Sequence, residues 1–408
     1  MEKAASPQPH EPAPPQGSPG EVLLAFLKLG LSAFGGPIAH IGYFRREFVE
    51  RRKWLSETAY ADLVALAQFL PGPASSQVGF ALGLQRAGAL GAAAAWTGFT
   101  LPSAILMTAF ALTAAAFKGP VAAGAIHGLK LVAAAVVAQA VLGMARTLAP
   151  DARRAGIAIA ALALASLGPP RLAQLAAIGL GAAAGLALCR GAEGVAPASS
   201  RWRVSGRAGL TALALYLGLL IGLPAAAAVT GSAILTRVEA FYRSGALVFG
   251  GGHVVLPLLK AAVVDPGWVS SQMFLAGYGA AQAMPGPLFT FAAFLGAAMN
   301  GPASGIAGAA MALAAIFVPG LLALVAALPF WGALRTRPLA RAAMRGANAA
   351  VVGVLAGALY DPVWTSAVLG RLDLVLAAAG FALLMFRVPP IAVVAFEIIA
   401  GGARGLWA

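Results

Sequence analysis

Two Pro-Gly-Pro triplets interrupt long apolar stretches of this 408-residue sequence, one at residues 71–73 and the other at residues 285–287. Proline lacks a backbone N–H group and clashes with the preceding helical turn, so a helix ends at each triplet and a new helix begins after it. The start of a helix carries unpaired N–H groups and the positive end of the helix dipole, and both attract anions. We therefore predict that the triplets and the polar side chains around them bind an anion. The predicted binding residues are Gln68, Gly72, Ser75, Ser76 and Gln77 in the first stretch, and Gln282, Gly286 and Thr290 in the second, while Pro71, Pro73, Pro285 and Pro287 make the helix breaks.

A glycine-rich break precedes each triplet. The first contains Gly35, Gly36 and Pro37, and the second contains Gly250 and Gly251. Glycine has no side chain, so an anion can approach the backbone closely at these positions, which we add to the predicted site.

A histidine follows each glycine break, His40 after the first and His253 after the second. Two interpretations stay open for each ring. It is either a structural hydrogen-bond donor in an apolar setting, or a group that binds the anion as imidazolium or handles protons.

The composition places these breaks inside a membrane. Hydrophobic residues make up 60% of the chain and charged residues 10%, whereas a soluble domain carries roughly 25% charged residues. Many apolar windows exceed the ~18 residues that mark a membrane-spanning helix. We predict an all-α polytopic membrane protein with about 10–13 membrane segments, several of them broken or re-entrant. Non-helical backbone at membrane depth faces protein or a water-filled cavity. The four breaks therefore either converge on an anion site near the midplane or only allow helices to cross closely.

Several function classes are excluded by residue types. The net charge of +14 comes from basic residues in short loops between apolar spans, which sets membrane orientation and does not indicate nucleic-acid binding. The single cysteine, Cys189, allows no internal disulfide, and the four histidines form no metal-binding pattern. No nucleotide-binding loop or protease motif is present, so we predict neither an enzyme nor a cofactor.

The order of motifs repeats along the chain. Gln282 follows Gln68, and Pro319 follows Pro102, in each case after about 215 residues, which indicates an internal duplication. The predicted divisions are a disordered tail at 1–20, a first repeat at 21–189, a basic linker with a connecting transmembrane helix at 190–235, and a second repeat at 236–408.

The distribution of basic residues predicts that the two repeats are inverted. Residues 45–53 hold five basic residues, but the corresponding loop of the second repeat holds one lysine. The bias reverses further on, where Arg335 to Arg345 form a basic cluster, while the corresponding segment of the first repeat, Lys118 to Lys130, is sparse in charge. Both basic segments prefer the cytoplasm, which requires opposite orientations and places the N-terminus in the cytoplasm. Inverted repeats with discontinuous helices are a common plan of secondary transporters.

Taken together, the motifs resemble one known family. The run from Phe34 to His40, then Trp54-Leu55, then the stretch from Gln68 to Pro73, is similar to the chromate ion transporter family, and Phe249 to Pro287 is similar to its second domain. The resemblance covers nearly the whole chain in the long, two-domain form. It implies an inner-membrane protein that exports chromate and confers resistance to it, with sulfate as the related oxyanion. From the residues alone, an anion channel on the same architecture stays an alternative, and the oligomeric state is open, with a homodimer as one option.

A few charged residues in or near the apolar segments are candidates for coupling or gating. Asp62 and Glu397 are carboxylates inside apolar helices, which are costly in a membrane and so suggest a function. Asp62 either couples proton movement to transport or pairs with a basic neighbour. Lys28 is either a snorkelling residue or an anion contact. Arg45 and Arg46 either attract anions at the cytoplasmic mouth or only set the topology.

Overall fold

A computed structural model describes residues 17–114, 119–168, 170–190, 202, 204–249 and 252–407. Every regular element in those residues is a helix, so the predicted all-α class is confirmed. The predicted disordered tail lies almost wholly outside the described residues, which begin just before the first helix.

The first part of the chain forms eight helices. Several begin at a side-chain cap, as at Ser56, where the hydroxyl accepts a hydrogen bond from the Ala59 N–H group at 3.3 Å. Such a cap satisfies one of the unpaired donors at a helix start. The helices are α1 (Pro19–Ser32), α2 (Gly36–Phe44), α3 (Glu57–Phe69), α4 (Ala74–Ala114), α5 (Pro120–Leu148), α6 (Ala152–Leu167), α7 (Pro170–Leu188) and α8 (Gly206–Thr230).

The second part is more interrupted, because short 3₁₀ and π segments join several of its helices. Its helices are α9 (Ala233–Ala246), α10 (Val255–Leu259), α11 (Ser271–Ala281), α12 (Phe291–Ala298), α13 (Gly305–Ala327), α14 (Trp331–Leu334), α15 (Pro338–Ala358), α16 (Thr365–Ala367), α17 (Arg371–Met385) and α18 (Pro390–Trp407).

Five helical segments among the described residues are long and apolar enough to cross a bilayer. They start at α4, α5, α8, α13 and α15. The chain is therefore a multi-pass membrane protein. The predicted total of about 10–13 segments stays a prediction, since the further crossings would be made by shorter helices joined at breaks.

The predicted breaks occur where the sequence indicates. Helix α4 begins directly after the first Pro-Gly-Pro triplet, and the second triplet is followed by a 3₁₀ turn and α12. Within α4 the backbone leaves helical geometry at Ala87 and Gly88. Each half thus contains short helical pieces whose ends lie among their neighbours.

Two hydrogen bonds join the halves reciprocally. The Gly72 N–H group of the first triplet donates to the Val248 carbonyl at 2.7 Å, and the Gly286 N–H group of the second donates to the Ala33 carbonyl at 2.9 Å. Val248 and Ala33 occupy the same place relative to their glycine breaks. Each triplet is therefore bound to the glycine break of the other half, which is what a duplicated chain with a local two-fold relation would produce.

The last helices of each half also pack against a helix of the other half. Helix α5 packs against α17 and α18, and its counterpart α15 packs against α6 and α7. Glycines permit close backbone contact in both groups, as between Gly124 and Gly401 and between Gly185 and Gly346. The two predicted repeats therefore interlock instead of forming separate bodies.

Candidate functional site

A cavity of about 60 Å³ lies where the first glycine break meets the second triplet. One water needs roughly 10–15 Å³ of such volume, so the cavity has room for about four to six waters. Its lining residues are Gly35, Gly36, Val136, Gln139, His253, Ala281, Gln282, Met284, Gly286, Leu288, Leu384 and Pro390. Five of them, Gly35, Gly36, His253, Gln282 and Gly286, belong to the anion site that the sequence predicts.

The start of α2 forms one wall of the cavity. Gly35 and Gly36 have φ angles of +99° and +75°, a backbone conformation that residues other than glycine rarely adopt. This backbone turns the chain sharply into α2, and no side chain caps the new helix. Its first N–H groups and the positive end of its dipole are thus left available to an anion.

Two polar side chains of the second half line the opposite wall. The Gln282 amide nitrogen is buried and has no hydrogen-bond partner among the described residues. The His253 Nδ1 atom lies 2.7 Å from the Tyr278 hydroxyl. When that hydroxyl donates to Nδ1, the neutral ring carries its proton on Nε2, which can donate to a bound anion.

Gly286 fixes how closely the second triplet approaches the first half. Its φ is +92°, and a Cβ atom there would lie 2.9 Å from the Phe99 carbonyl oxygen and 3.3 Å from the Ser103 Cβ. A side chain at this position would push the triplet away from Ala33 and break the reciprocal hydrogen bond. Gly286 therefore positions the cavity wall.

An anion in this cavity would meet dipoles and not fixed charge. None of its lining residues is a lysine, arginine, aspartate or glutamate. Helix ends, amides and a neutral imidazole can replace the hydration of an anion without holding it so tightly that release is prevented. This is the balance that a transport site needs.

The first triplet does not line this cavity, because its polar groups contact protein. Gln77 is fully buried and its amide nitrogen donates to the Pro71 and Gly320 carbonyls, each at 2.8 Å. Ser75 is buried with its hydroxyl 3.4 Å from His40 Nδ1. Buried Ser76 has no partner for its hydroxyl among the described residues. Gln77 and Ser75 therefore join α4 to its neighbours, whereas the Ser76 hydroxyl makes no such contact.

Other predicted residues are also placed away from the cavity. His40 is fully buried, with Nε2 3.2 Å from the Ala33 carbonyl, which is the structural alternative of its two interpretations. Thr290 is satisfied by the Ser103 hydroxyl at 2.6 Å and the Pro287 carbonyl at 2.8 Å. Gln68 is exposed on α3, unlike its counterpart Gln282. Gly250 and Gly251 lie outside the described residues.

The prolines at the helix breaks flank hydrogen-bonded glycines or contact the other half of the chain. Pro71, Pro73, Pro285 and Pro287 bracket the two glycines that make the reciprocal hydrogen bonds. Pro37 meets its own counterpart, since a Cβ atom at Gly252 would lie 3.2 Å from the Pro37 ring. This contact explains why the second break has glycine where the first has proline.

The charged candidates lie outside the cavity as well. Asp62 is buried and forms an ion pair with Arg335, and its Oδ1 atom also accepts from the Trp331 indole at 3.1 Å. Pairing with a basic neighbour, one of its two predicted roles, is thus present. Lys28 is exposed on α1. Arg45 is paired with Glu57 at 2.7 Å, and Arg46 is exposed.

The sequence did not indicate every residue of the cavity. Gln139 of α5 donates to the Leu384 carbonyl at 3.1 Å and joins α5 to α17 beside the cavity. Pro390, at the start of α18, and Met284 complete the wall. A polar residue within an apolar helix was the available signal for Gln139, but its neighbours come from the distant end of the chain. No group of three or more metal-ligating side chains is present in the described residues.

Comparisons with known proteins agree on one family. A family model described as Chromate transporter matches residues 20–186 and 234–404. The chain is 31% identical to a probable chromate transport protein of Synechococcus elongatus, covering 86% of this chain and 84% of that protein. It is 30% identical to a chromate transport protein of Pseudomonas aeruginosa, covering 86% and 82% respectively. An uncharacterized transporter of Methanocaldococcus jannaschii is 24% identical over 82% of each chain. No solved structure matches.

Proposed function

The chain belongs to the chromate transporter family, and from this premise we propose that it carries chromate out of the cytoplasm as a secondary transporter. The anion binds in the cavity between the first glycine break and the second Pro-Gly-Pro triplet. This proposal includes a role in chromate resistance, which is the consequence of exporting a toxic oxyanion.

The observation that carries the proposal is the joint origin of the cavity. Gly35 and Gly36 come from the first half, and His253, Gln282 and Gly286 come from the second. A transporter opens its site to one side and then to the other by moving one half against the other. A site shared between the halves would be assembled and opened by such a movement.

The charge of the substrate supports the proposed direction. Moving one charge through a membrane potential of 100 mV is worth about 2.3 kcal/mol, so a dianion contributes about 4.6 kcal/mol per 100 mV. A bacterial cytoplasm is electrically negative, and the potential therefore drives chromate outward. We place the protein in the plasma membrane with its N-terminus and the basic segment at residues 45–53 on the cytoplasmic side.

Two features of the proposed site bear on selectivity and assembly. Sulfate has the same tetrahedral shape and charge as chromate, and dipoles alone discriminate poorly between them, so sulfate is the second substrate we expect. The lipid bilayer is the environment of the exposed apolar helices. A homodimer stays one option for the oligomeric state.

Flux into proteoliposomes tests this proposal. Purified protein should take up chromate, with sulfate as competitor and phosphate as a weaker one, and should concentrate it when a potential positive inside the vesicles is applied. A channel on the same architecture would pass ions at rates far above those of a carrier, and internal anion would not accelerate the uptake of external anion. Vesicles without protein give the background.

A matched pair of substitutions locates the site. Met284→Trp places a bulky ring in the cavity wall, and Leu70→Trp makes the same change at the corresponding position of the first half, which does not line the cavity. We expect the first variant to lose most chromate flux and the second to keep it. Equal flux in the two variants, both inserted normally, would contradict the assigned position of the anion.

A further inference from the structure

Glu397 of α18 is the most unusual buried charge-bearing group in the described part of the chain. Its side chain is 0% exposed, and neither carboxyl oxygen has a hydrogen-bond partner among the described residues. An ionised carboxylate without partners is very unfavourable in an apolar interior, so such a group holds a proton instead. The proposed anion site does not include this residue.

The surroundings of the carboxyl group are apolar and close. Helix α18 packs against α5 and α17. A Cβ atom at Gly380 of α17 would lie 2.5 Å from Glu397 Oε1, so the missing side chain of this glycine leaves the space that the carboxyl group occupies. Ala135 of α5 and Val393 of α18 lie around the same position.

The same three helices reach the cavity. Gln139 of α5 and Leu384 of α17 line it, and each is four residues, or about one helical turn, beyond Ala135 and Gly380. Pro390 lines it at the start of α18. Helical side chains lean toward the N-terminus of their helix, so Glu397 leans toward the cavity. Its carboxyl group therefore lies about one turn from the cavity wall.

Apart from Arg146 near the end of α5, the charged and titratable groups on these helices lie toward the helix ends that point away from the cavity. Asp373 of α17 is fully buried, accepts from His127 of α5 at 2.9 Å and is paired with Arg404 of α18. Lys130 of α5 is also buried. None of the four makes a hydrogen bond with Glu397 within the described residues. The neutral or ionised state of Glu397 is therefore not set by direct pairing.

We propose that Glu397 is a proton-binding site coupled to the anion cavity. An ionised carboxylate one turn away repels a dianion in the cavity, so a bound anion favours the protonated acid. On protonation, a carboxylate oxygen forms an O–H bond with a proton taken from water. On release that bond breaks and the proton returns to water. The inference rests on the proposed function, because it assumes that the cavity binds an oxyanion.

The chemistry favours a proton over a metal cation at this position. Sodium or another hard cation needs several oxygen ligands. Here Gly380, Ala135 and Val393, which lie around the carboxyl group, supply no side-chain oxygen.

Binding of sulfate to the purified protein, measured across a range of pH, tests the coupling. Sulfate keeps its double negative charge over the range used, so only protein groups titrate. The wild-type affinity should be highest at acidic pH and should fall as the pH rises and Glu397 ionises, by up to about tenfold per pH unit for one linked proton. Glu397→Gln keeps the neutral shape, so it should bind sulfate at alkaline pH and show a shallower pH dependence. His253 can also take up a proton, which is why the variant and the wild type are compared.

Infrared spectroscopy gives a second readout, and its measurement on the wild type does not depend on the variant folding. The wild type should show the C=O stretching band of a neutral carboxylic acid, and sulfate should increase that band at alkaline pH. Glu397→Gln should remove it. The matched control is Glu239→Gln, because buried Glu239 is paired with Arg243 at 3.1 Å and should not contribute to the band.

The outcomes separate this inference from the proposed function. A wild type that binds neither sulfate nor chromate at any pH refutes the proposed function. Binding whose pH dependence is the same in the wild type and in Glu397→Gln, or a wild type without the neutral-acid band, overturns the role of Glu397 and leaves the proposed function standing.

Discussion

Replacing Gln282 by leucine tests the position of the anion most directly. Leucine is similar in size to glutamine and lacks the amide. The Gln282 amide nitrogen makes no well-formed hydrogen bond among the described residues, and the neighbouring Tyr278 hydroxyl keeps its own partner, His253 Nδ1 at 2.7 Å, when the amide is removed. Gln68 occupies the equivalent place in the first half, on the exposed face of α3 and outside the cavity. Gln68→Leu is therefore the matched comparison.

The expected loss follows from the strength of one hydrogen bond to a charged group. Rotation about the terminal amide torsion, which has a broad energy profile, brings the Gln282 N–H groups onto an anion in the cavity. A hydrogen bond to an ion contributes about 1.5–3 kcal/mol. Its removal should weaken binding by roughly tenfold to 150-fold. Gln68→Leu should change the affinity by less than about twofold, since surface changes stay within about 0.5 kcal/mol.

The affinity is measured by equilibrium dialysis of the purified variants against radiolabelled chromate, with thermal melting as a check on folding. Gln282→Leu should keep the melting temperature of the wild type while its affinity falls. If Gln68→Leu loses affinity and Gln282→Leu does not, the anion binds near the first triplet instead. If neither variant loses affinity, neither amide contacts the anion and the assignment fails.

Two further predictions concern stability. Gly286→Ala places a side chain at φ +92° and 2.9 Å from the Phe99 carbonyl oxygen. This change should destabilise the protein by about 2–4 kcal/mol and lower its melting temperature. Gly218→Ala is the control and should not do so, because a Cβ atom there meets no atom within 4 Å. Asp62→Leu leaves Arg335 without its buried carboxylate, which should lower stability by about 3–5 kcal/mol, and the double variant Asp62→Leu with Arg335→Met should recover much of the loss. A double variant less stable than either single one would contradict the pairing.

Much of the fold was predictable because the relevant signals are local. The Pro-Gly-Pro triplets end helices wherever they lie, and Ser56 caps α3 through residues three positions away. The apolar composition specified a helical membrane protein, because only helices and closed barrels satisfy the backbone in lipid. The motif spacing indicated the duplication, and the reciprocal hydrogen bonds of Gly72 and Gly286 agree with it.

The candidate site was predictable only in part. The sequence treated the two halves as equal contributors, and it proposed Gln68, Ser75 and Gln77 beside Gln282 and Gly286. In the structure Gln68, Ser75 and Gln77 contact protein or solvent. The cavity lies where the first glycine break meets the second triplet, and not where the second break meets the first triplet. The halves differ at single positions, such as Pro37 against Gly252, which lie close together where the halves meet.

By itself, the sequence determined the helical membrane class, the positions of the breaks and the family, because each depends on residue type and on spacing along the chain. Only the tertiary structure decided which breaks meet. The first glycine break reaches the second triplet because Gly286 can approach Ala33. Helices α17 and α18 cross over to α5, where they add Leu384 and Pro390 to the cavity wall and leave Glu397 enclosed. These contacts join residues far apart in the chain and depend on how glycine-lined helices fit together, which spacing along the chain does not encode.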